Sequence, residues 1–284
     1  MFKYAALISY NGTRFCGWQT QRGPADHGEP SIQQTMQAAL SEMTGEPVTL
    51  VASGRTDSGV HSMGQVAHFV LRQREWDTYI LKRGMNSKLK PNIQVIDVQP
   101  VKIEFHAQRS AIRKQYSYYF QQGPCPLPHL DPFTWWLHRP LKLEAMQEAV
   151  GYLRGEHDFK AFQASGGKPG RSSVRTIFEA EASFEPVSFP GQDMFQGTHR
   201  QGSIRIRLVG SGFLKQMVRG IAGTLHQIGE GRRPASDIRE IIESQDRSSV
   251  GMTAPARGLW LEKVWYPEEL GPRWQNVEFS SRFV

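Results

Sequence analysis

The order in which two hydrophobic periodicities follow one another along residues 2–101 restricts the fold of this chain more than any other feature. Residues 2–9 (FKYAALIS) read as a strand that ends at the Asn11-Gly12 turn signal. Residues 31–44 read as a helix: Ser31 and Gln34 have capping-box spacing, Pro30 stands just outside, and Gly45 follows the last turn. Ile32, Met36, Ala39, Leu40 and Met43 fall on one face of it. Val48, Leu50 and Ala52 then alternate as a strand, and residues 64–72 read as another. A helix over 76–86 and a strand over 93–101 complete the series.

Strand, helix, strand, strand, helix, strand is the ferredoxin-like split βαβ order, used also by many RNA-binding sheets. The second half runs through the same order with more insertions. Strands are expected at 115–120, 173–184, 203–210 and 258–266, helices at 142–153 and 211–229, and an extra short helix at 235–244. In the helix over 211–229, Phe213, Met217, Ile221, Leu225 and Ile228 form an apolar stripe, with Lys215, Arg219 and His226 on the opposite face. The break between the halves is expected near 104–112, and Pro- and Gly-rich stretches at 121–133, 165–171 and 186–202 read as loops. The expectation is an α+β protein of two ferredoxin-like (RRM-like) halves, 1–107 and 108–284, with antiparallel sheets flanking a basic cleft.

Composition narrows the partners. The 284 residues, 39% of them hydrophobic, suffice for a substantial core in one large domain or two ordinary ones. Lys and Arg number 34 against 27 Asp and Glu, and a net charge of +7 favours polyanionic partners, because each phosphate contact releases condensed counterions. The two cysteines, Cys16 and Cys125, form no CxxC pair, and no His/Cys cluster has zinc-ligand spacing. No metal is expected, and both thiols fit a reducing compartment. The amino terminus is too short and too polar after Tyr10 for a signal peptide, and no apolar stretch is long enough to cross a bilayer. A soluble cytoplasmic protein is the default.

Chemistry concentrates in one connection. Between the strands at 47–53 and 64–72 lies GRTDSGVHSMG, with Gly54, Gly59 and Gly64 around Arg55, Thr56, Asp57 and His61. A plain hairpin needs two to five connecting residues. Glycines let a backbone bend tightly or approach a ligand, and Arg beside Asp suggests a paired charge. Residue chemistry alone leaves this open between a functional loop and a solvated turn closed by an Asx bond. Asp57-Ser58-Gly59 also spells the aspartic-protease signature, but that mechanism needs two carboxylates sharing a proton. No second Asp-Ser-Gly or Asp-Thr-Gly occurs, and Arg55-Thr56 replaces the apolar flank.

The longer string Gly54-Arg55-Thr56-Asp57-Ser58-Gly59-Val60-His61, followed by Gly64-Gln65-Val66-Ala67-His68-Phe69, closely resembles the signature of the TruA family of pseudouridine synthases. Further family-like segments stand in order: YNGTRFCGWQTQ at 10–21, MNSKLKPNIQV at 85–95 and FHAQRSAIRKQYSYYF at 105–120. GFLKQMVRGIAGTLHQIGEG at 212–231 and TAPARGLWLEKVWY at 253–266 follow, so the resemblance runs from about residue 3 to 267. It implies an isomerase of the pseudouridine synthase fold, free of cofactors, converting uridine to pseudouridine in the anticodon stem-loop of tRNA (positions 38–40), and a homodimer. The alternatives are an RNA-binding or RNA-chaperone protein of the same fold, or a synthase for another RNA.

By the same resemblance Asp57 is the catalytic aspartate and Arg219, in Met217-Val218-Arg219, its arginine partner. Tyr116 matches the active-site tyrosine, able to stack on a flipped uracil. Arg55 matches the arginine that takes part in flipping the nucleotide, and Leu259 packs against the base. From pattern alone Tyr116 and Tyr118 are alternating strand aromatics that belong in a core. His61 and His68 receive no role. Ser58 and Ser62 stand where the family more often has alanine, and Lys90 where a Leu-Pro step is usual. Segments 186–202 and 268–284 carry no functional reading.

Overall fold

A computed structural model describes residues 1–19, 29–166, 170, 172–186 and 202–276. The stretch 187–201 and the residues from 277 onward therefore lie outside the described residues. The described residues form two compact units, one from Met1–Lys114 with the C-terminal segment starting at Trp260, the other from Gln115–Leu259.

In the first unit β1 (Phe2–Tyr10) is the middle strand. It pairs antiparallel with β3 (His61–Leu71) through Ala6↔Ala67 and with β4 (Ile93–Pro100) through Ala6↔Val98. The other edge of β3 is shared: β2 (Val51–Ala52) pairs antiparallel at Val51↔His68, and β10 (Leu259–Trp265) pairs parallel at Trp260↔His61 and Leu261↔Ser62. Alternate residues of β1, namely Tyr4, Ala6, Ile8 and Tyr10, point into one core. Ile32, Met36 and Leu40 of α1 (Ile32–Thr44) and Leu81, Met85 and Leu89 of α2 (Thr78–Leu89) cover that face. The α1 ends follow the expected chemistry: Ser31 Oγ accepts from Gln34 N at 3.1 Å, and Gly45 closes the helix in the left-handed region at φ 72°.

The expected strand over 48–52 shrinks to two residues for a visible reason. Val48 N donates to Ser41 Oγ, Leu50 N to Gln37 Oε1, and Leu50 O accepts from Gln33 Nε2, so α1 side chains take the hydrogen bonds a neighbouring strand would need.

In the second unit the strand order is β5 (Arg113–Gln122), β9 (Gly202–Gly210), β8 (Val174–Pro186) and β7 (Gly155–Asp158). The pairs β8–β9 and β7–β8 are antiparallel, and β6 (Trp135–Leu137) lies parallel to β5. Helices α3 (Leu143–Gly151), α4 (Met217–Gly229) and α5 (Asp237–Ser244) belong to this unit, and α3 packs on both β8 and α4. The helix expected over 211–229 begins only at Met217. Gln216 before it has φ 58°, Ser211 N donates to Thr176 O, and Lys215 O accepts from Ala164 N, which fixes 211–216 in a non-helical path. Phe213 and Lys215 therefore lie outside the helix. The face expected to be polar is not solvated either: His226 is buried, and α4 is covered on nearly every side. No helix among the described residues is long and apolar enough to cross a membrane.

Candidate active site

Residues 53–60 connect β2 to β3, and the chain is tied down on both sides of Asp57. Before it, buried Thr56 accepts from Trp18 N through its carbonyl at 3.0 Å, and its hydroxyl shares a 2.8 Å hydrogen bond with the Tyr10 phenol. After it, Gly59 takes φ 76° and the N–H of buried Val60 donates to Asp57 O at 3.2 Å, closing a turn. Ser58 Oγ donates to Phe15 O at 3.2 Å. Asp57 is left half-buried at the start of this turn and Arg55 is exposed.

The segment 10–18 forms the seat of the loop. A Cβ on Gly12 would stand 2.0 Å from Val60 O, and one on Gly17 would stand 2.7 Å from Thr56 O, so glycine at both positions permits main chain to lie directly on main chain. Gly12 N donates to His61 Nδ1 at 3.1 Å, and the fully buried His61 ring stacks on Trp260 at 4.5 Å. Buried Gln65 works from beneath: its Nε2 donates to Gly54 O at 2.9 Å, and its Oε1 accepts from Ser53 Oγ at 2.6 Å. Burial pushes the Tyr10 phenol up to about 12, against the pull of its hydrogen bonds to Thr56, Gln65 and Ser62, so it stays neutral and keeps its proton for bonding.

Sequence reasoning attached no role to Tyr10, Gly12, Gly17, Trp18 or Gln65. Two departures from the family pattern acquire partners: besides Ser58, Ser62 Oγ donates to Leu261 O at 2.8 Å and so bonds β3 to β10.

His68 is structural. Its Nδ1 accepts from Ala107 N at 3.1 Å, and its ring meets those of Phe105 and His106. Burial, with the charges of Lys3, His106 and Arg109, lowers its pKa from 6.5 to about 4. The unfolded chain takes up this proton near pH 6.5 and the folded chain only near pH 4, so the stability held by neutral His68 is lost as pH falls through that window. Denaturant titrations are expected to show about 1 kcal/mol less stability at pH 5 than at pH 7.5 from this site, a figure discounted for solvent screening. His68→Gln should flatten that slope; an unchanged slope would place the dependence elsewhere.

The second unit holds the other residues named from sequence. Tyr116 of β5 is buried, its ring edge-on to Phe213 at 5.0 Å. Arg219 lies in the first turn of α4. Its Nε donates to Ala254 O at 2.7 Å, while Ala254 N donates to Arg219 O at 3.1 Å. The same strip of chain is pressed onto α4: a Cβ on Gly223 would stand 1.7 Å from Met252 O, and Gly251 N donates to Thr224 Oγ1 at 3.0 Å. Leu259, buried, opens β10. Thus Arg55 and Asp57 share one loop of the first unit, and Tyr116, Arg219 and Leu259 belong to the second. Among the described residues no group of His, Cys, Asp or Glu is arranged to hold a metal ion.

What this arrangement offers chemically is a half-buried carboxylate on a backbone hydrogen-bonded on both sides of it. Comparison with known proteins gives it a context. The sequence model described as tRNA pseudouridine synthase matches residues 6–108 and 149–267. The chain is 39% identical over 276 residues to a protein of Bdellovibrio bacteriovorus named tRNA pseudouridine synthase A, covering 95% of this chain and 97% of that one. It is 37% identical over 273 residues to the protein of that name from Maridesulfovibrio salexigens, covering 94% and 92%. With the Sinorhizobium fredii protein of that name the figures are 35% over 269 residues, 94% and 100%.

Proposed function

The chain belongs to the tRNA pseudouridine synthase family, and from that membership we propose that Asp57 is the group that performs the isomerisation. In the reaction the N1–C1′ bond of a uridine breaks, the base turns, and a C5–C1′ bond forms. The C5 proton leaves and N1 ends with one, so the product is an isomer and no oxidant or group donor enters the balance. An ionised carboxylate serves each available route: attack at C6 of the base, attack at C1′ of the ribose, or proton removal through a glycal-like intermediate. The observation that carries the reading is the anchoring of Thr56 and Val60 on either side of Asp57, since an electrostatic or nucleophilic group accelerates a step most when it need not reorganise.

Around that centre we assign four further roles. Arg219 is the arginine partner that the family pattern gives the aspartate, its guanidinium oriented by Ala254 O. Tyr116 stacks on the flipped base and lends its phenol to the C5 proton, while Leu259 packs against the base. Arg55, exposed beside Asp57, takes part in flipping the nucleotide. The mixed α+β architecture fits a pseudouridine synthase fold. The strand order β4-β1-β3, with β2 on the far edge of β3, supports a ferredoxin-like reading of the first half. Uridines of the anticodon stem-loop as substrate, a homodimer as the working form and the cytoplasm as the location complete the proposal.

The test is direct. Purified protein, without added cofactor, is incubated with an unmodified tRNA transcript, and pseudouridine is mapped by position. Modification confined to the anticodon arm is expected. Modification elsewhere would overturn the substrate assignment, and binding without modification on several tRNAs would overturn the catalytic one.

A further inference from the structure

We propose that Tyr118 is a positioning residue for the reaction, its hydroxyl tying the segment that begins at Ala254 so that Arg219 keeps its orientation, and its ring supporting the segment that ends in Leu259. The inference rests on reading Arg219 and Leu259 as site residues. Pattern alone made Tyr118 one more core aromatic of β5, but its surroundings are not merely apolar.

Tyr118 is fully buried, and its hydroxyl donates to Pro255 O at 2.8 Å. Proline has no N–H, so the main chain of residue 255 is anchored through its carbonyl alone. The preceding residue, Ala254, is the one that grips Arg219 at both ends, by its N–H to Arg219 O and by its carbonyl from Arg219 Nε. The tyrosine proton therefore secures the peptide next to the one that directs the guanidinium.

On the other side of the bond lies Gly258. A Cβ there would stand 2.6 Å from Tyr118 Cζ and 2.9 Å from its hydroxyl oxygen, so the main chain rests on the ring itself. The next residue is Leu259. One ring is thus the floor for the segment that ends in Leu259, and its hydroxyl is the tie for the segment that begins at Ala254. Tyr116, two residues earlier on the strand, shares the face of β5 with it. Burial raises the Tyr118 phenol far above its usual value, with Arg219 and Arg257 pulling the other way, so the proton needed for the Pro255 bond is always present.

Tyr118→Phe keeps the floor and removes the tie. Its kcat is expected to fall on the order of tenfold, with KM for tRNA within about threefold of wild type, as expected when an interaction realised in the transition state is lost. In an Arg219→Ala background the same substitution should cost nothing further, since a residue acting through another is non-additive with it. Gly258→Ala, which presses a methyl group onto the ring, should lower kcat independently. A purely structural tyrosine would instead lower the melting temperature of Tyr118→Phe and leave kcat per folded enzyme unchanged. That result, or additive losses in the double variant, would overturn the proposal. If Arg219→Ala alone retains wild-type kcat, the reading of Arg219 falls and takes this inference with it. If Arg219→Ala is crippled while Tyr118→Phe and Gly258→Ala are not, only the inference falls.

Discussion

Asp57→Asn is expected to abolish isomerisation, by about 10³-fold or more in kcat, while tRNA binding stays within about tenfold of wild type. The asparagine is nearly isosteric and keeps one acceptor oxygen. None of the contacts described as holding the loop uses the carboxylate: Trp18 N bonds the Thr56 carbonyl, Tyr10 bonds the Thr56 hydroxyl, and Val60 N bonds the main-chain oxygen of residue 57. The seat should therefore survive, and with it the surface that RNA meets. What disappears is the negative charge and the second oxygen, which attack at C6, attack at C1′ and proton abstraction all require. Release of tritium from C5-labelled uridine in tRNA measures the step directly. Release at the wild-type rate would end the catalytic assignment.

Gly12→Ala is expected to have the next largest effect on rate, without altering Asp57 itself. Its methyl carbon would lie 2.0 Å from Val60 O, 2.7 Å from Val60 C and 3.1 Å from Val60 N, all main-chain atoms with no rotamer into which to retreat. Either the turn after Asp57 or the 3-10 turn at Gly12–Arg14 has to move by about 1 Å, and a displacement of that size at a reacting group costs about 10²-fold in rate. Movement on the Gly12 side also stretches its hydrogen bond to His61, so a stability loss of about 1–3 kcal/mol should accompany the loss of rate. Steady-state kinetics and urea unfolding on one preparation check both halves. A wild-type kcat would mean that the loop does not depend on this seat.

Much of the fold was legible because its signals are local. Ser31, Gly45 and the apolar face of α1 each act within a turn or two of chain, and all appear where the sequence puts them. The errors share a physical cause, which is that distant atoms outcompeted local pattern. Gln33, Gln37 and Ser41 captured the main chain of 48–50, and bonds to Thr176 and Ala164 held 211–216 out of the helix. Residues 135–137 and 155–158 are too short to show a period, so β6 and β7 went unread. The strand at 258–266 was legible as a strand, but not as a neighbour of His61 and Ser62, because its partner is written nowhere near it.

The site divides the same way. Asp57 announces itself within eight consecutive letters, whereas the seat beneath it is spread over Tyr10, Gly12, Gly17, Trp18 and Gln65. The available hint was the pair of glycines at 12 and 17, close to turn signals yet not needed by any hairpin.

The place of β10 also sets a clock. Ser62 and Leu261, bonded across the two strands, are 199 residues apart in the chain. A ribosome adding about 5–20 residues each second needs roughly 10–40 s to travel that distance. Throughout that interval the nascent first unit has β1, α1 and the 53–60 loop, but β3 keeps an open edge at His61 and Ser62 and His61 has no Trp260 to stack on. A chain halted before residue 260 would carry Asp57 on an unfinished footing, without the β10 contacts that His61 and Ser62 make in the folded protein.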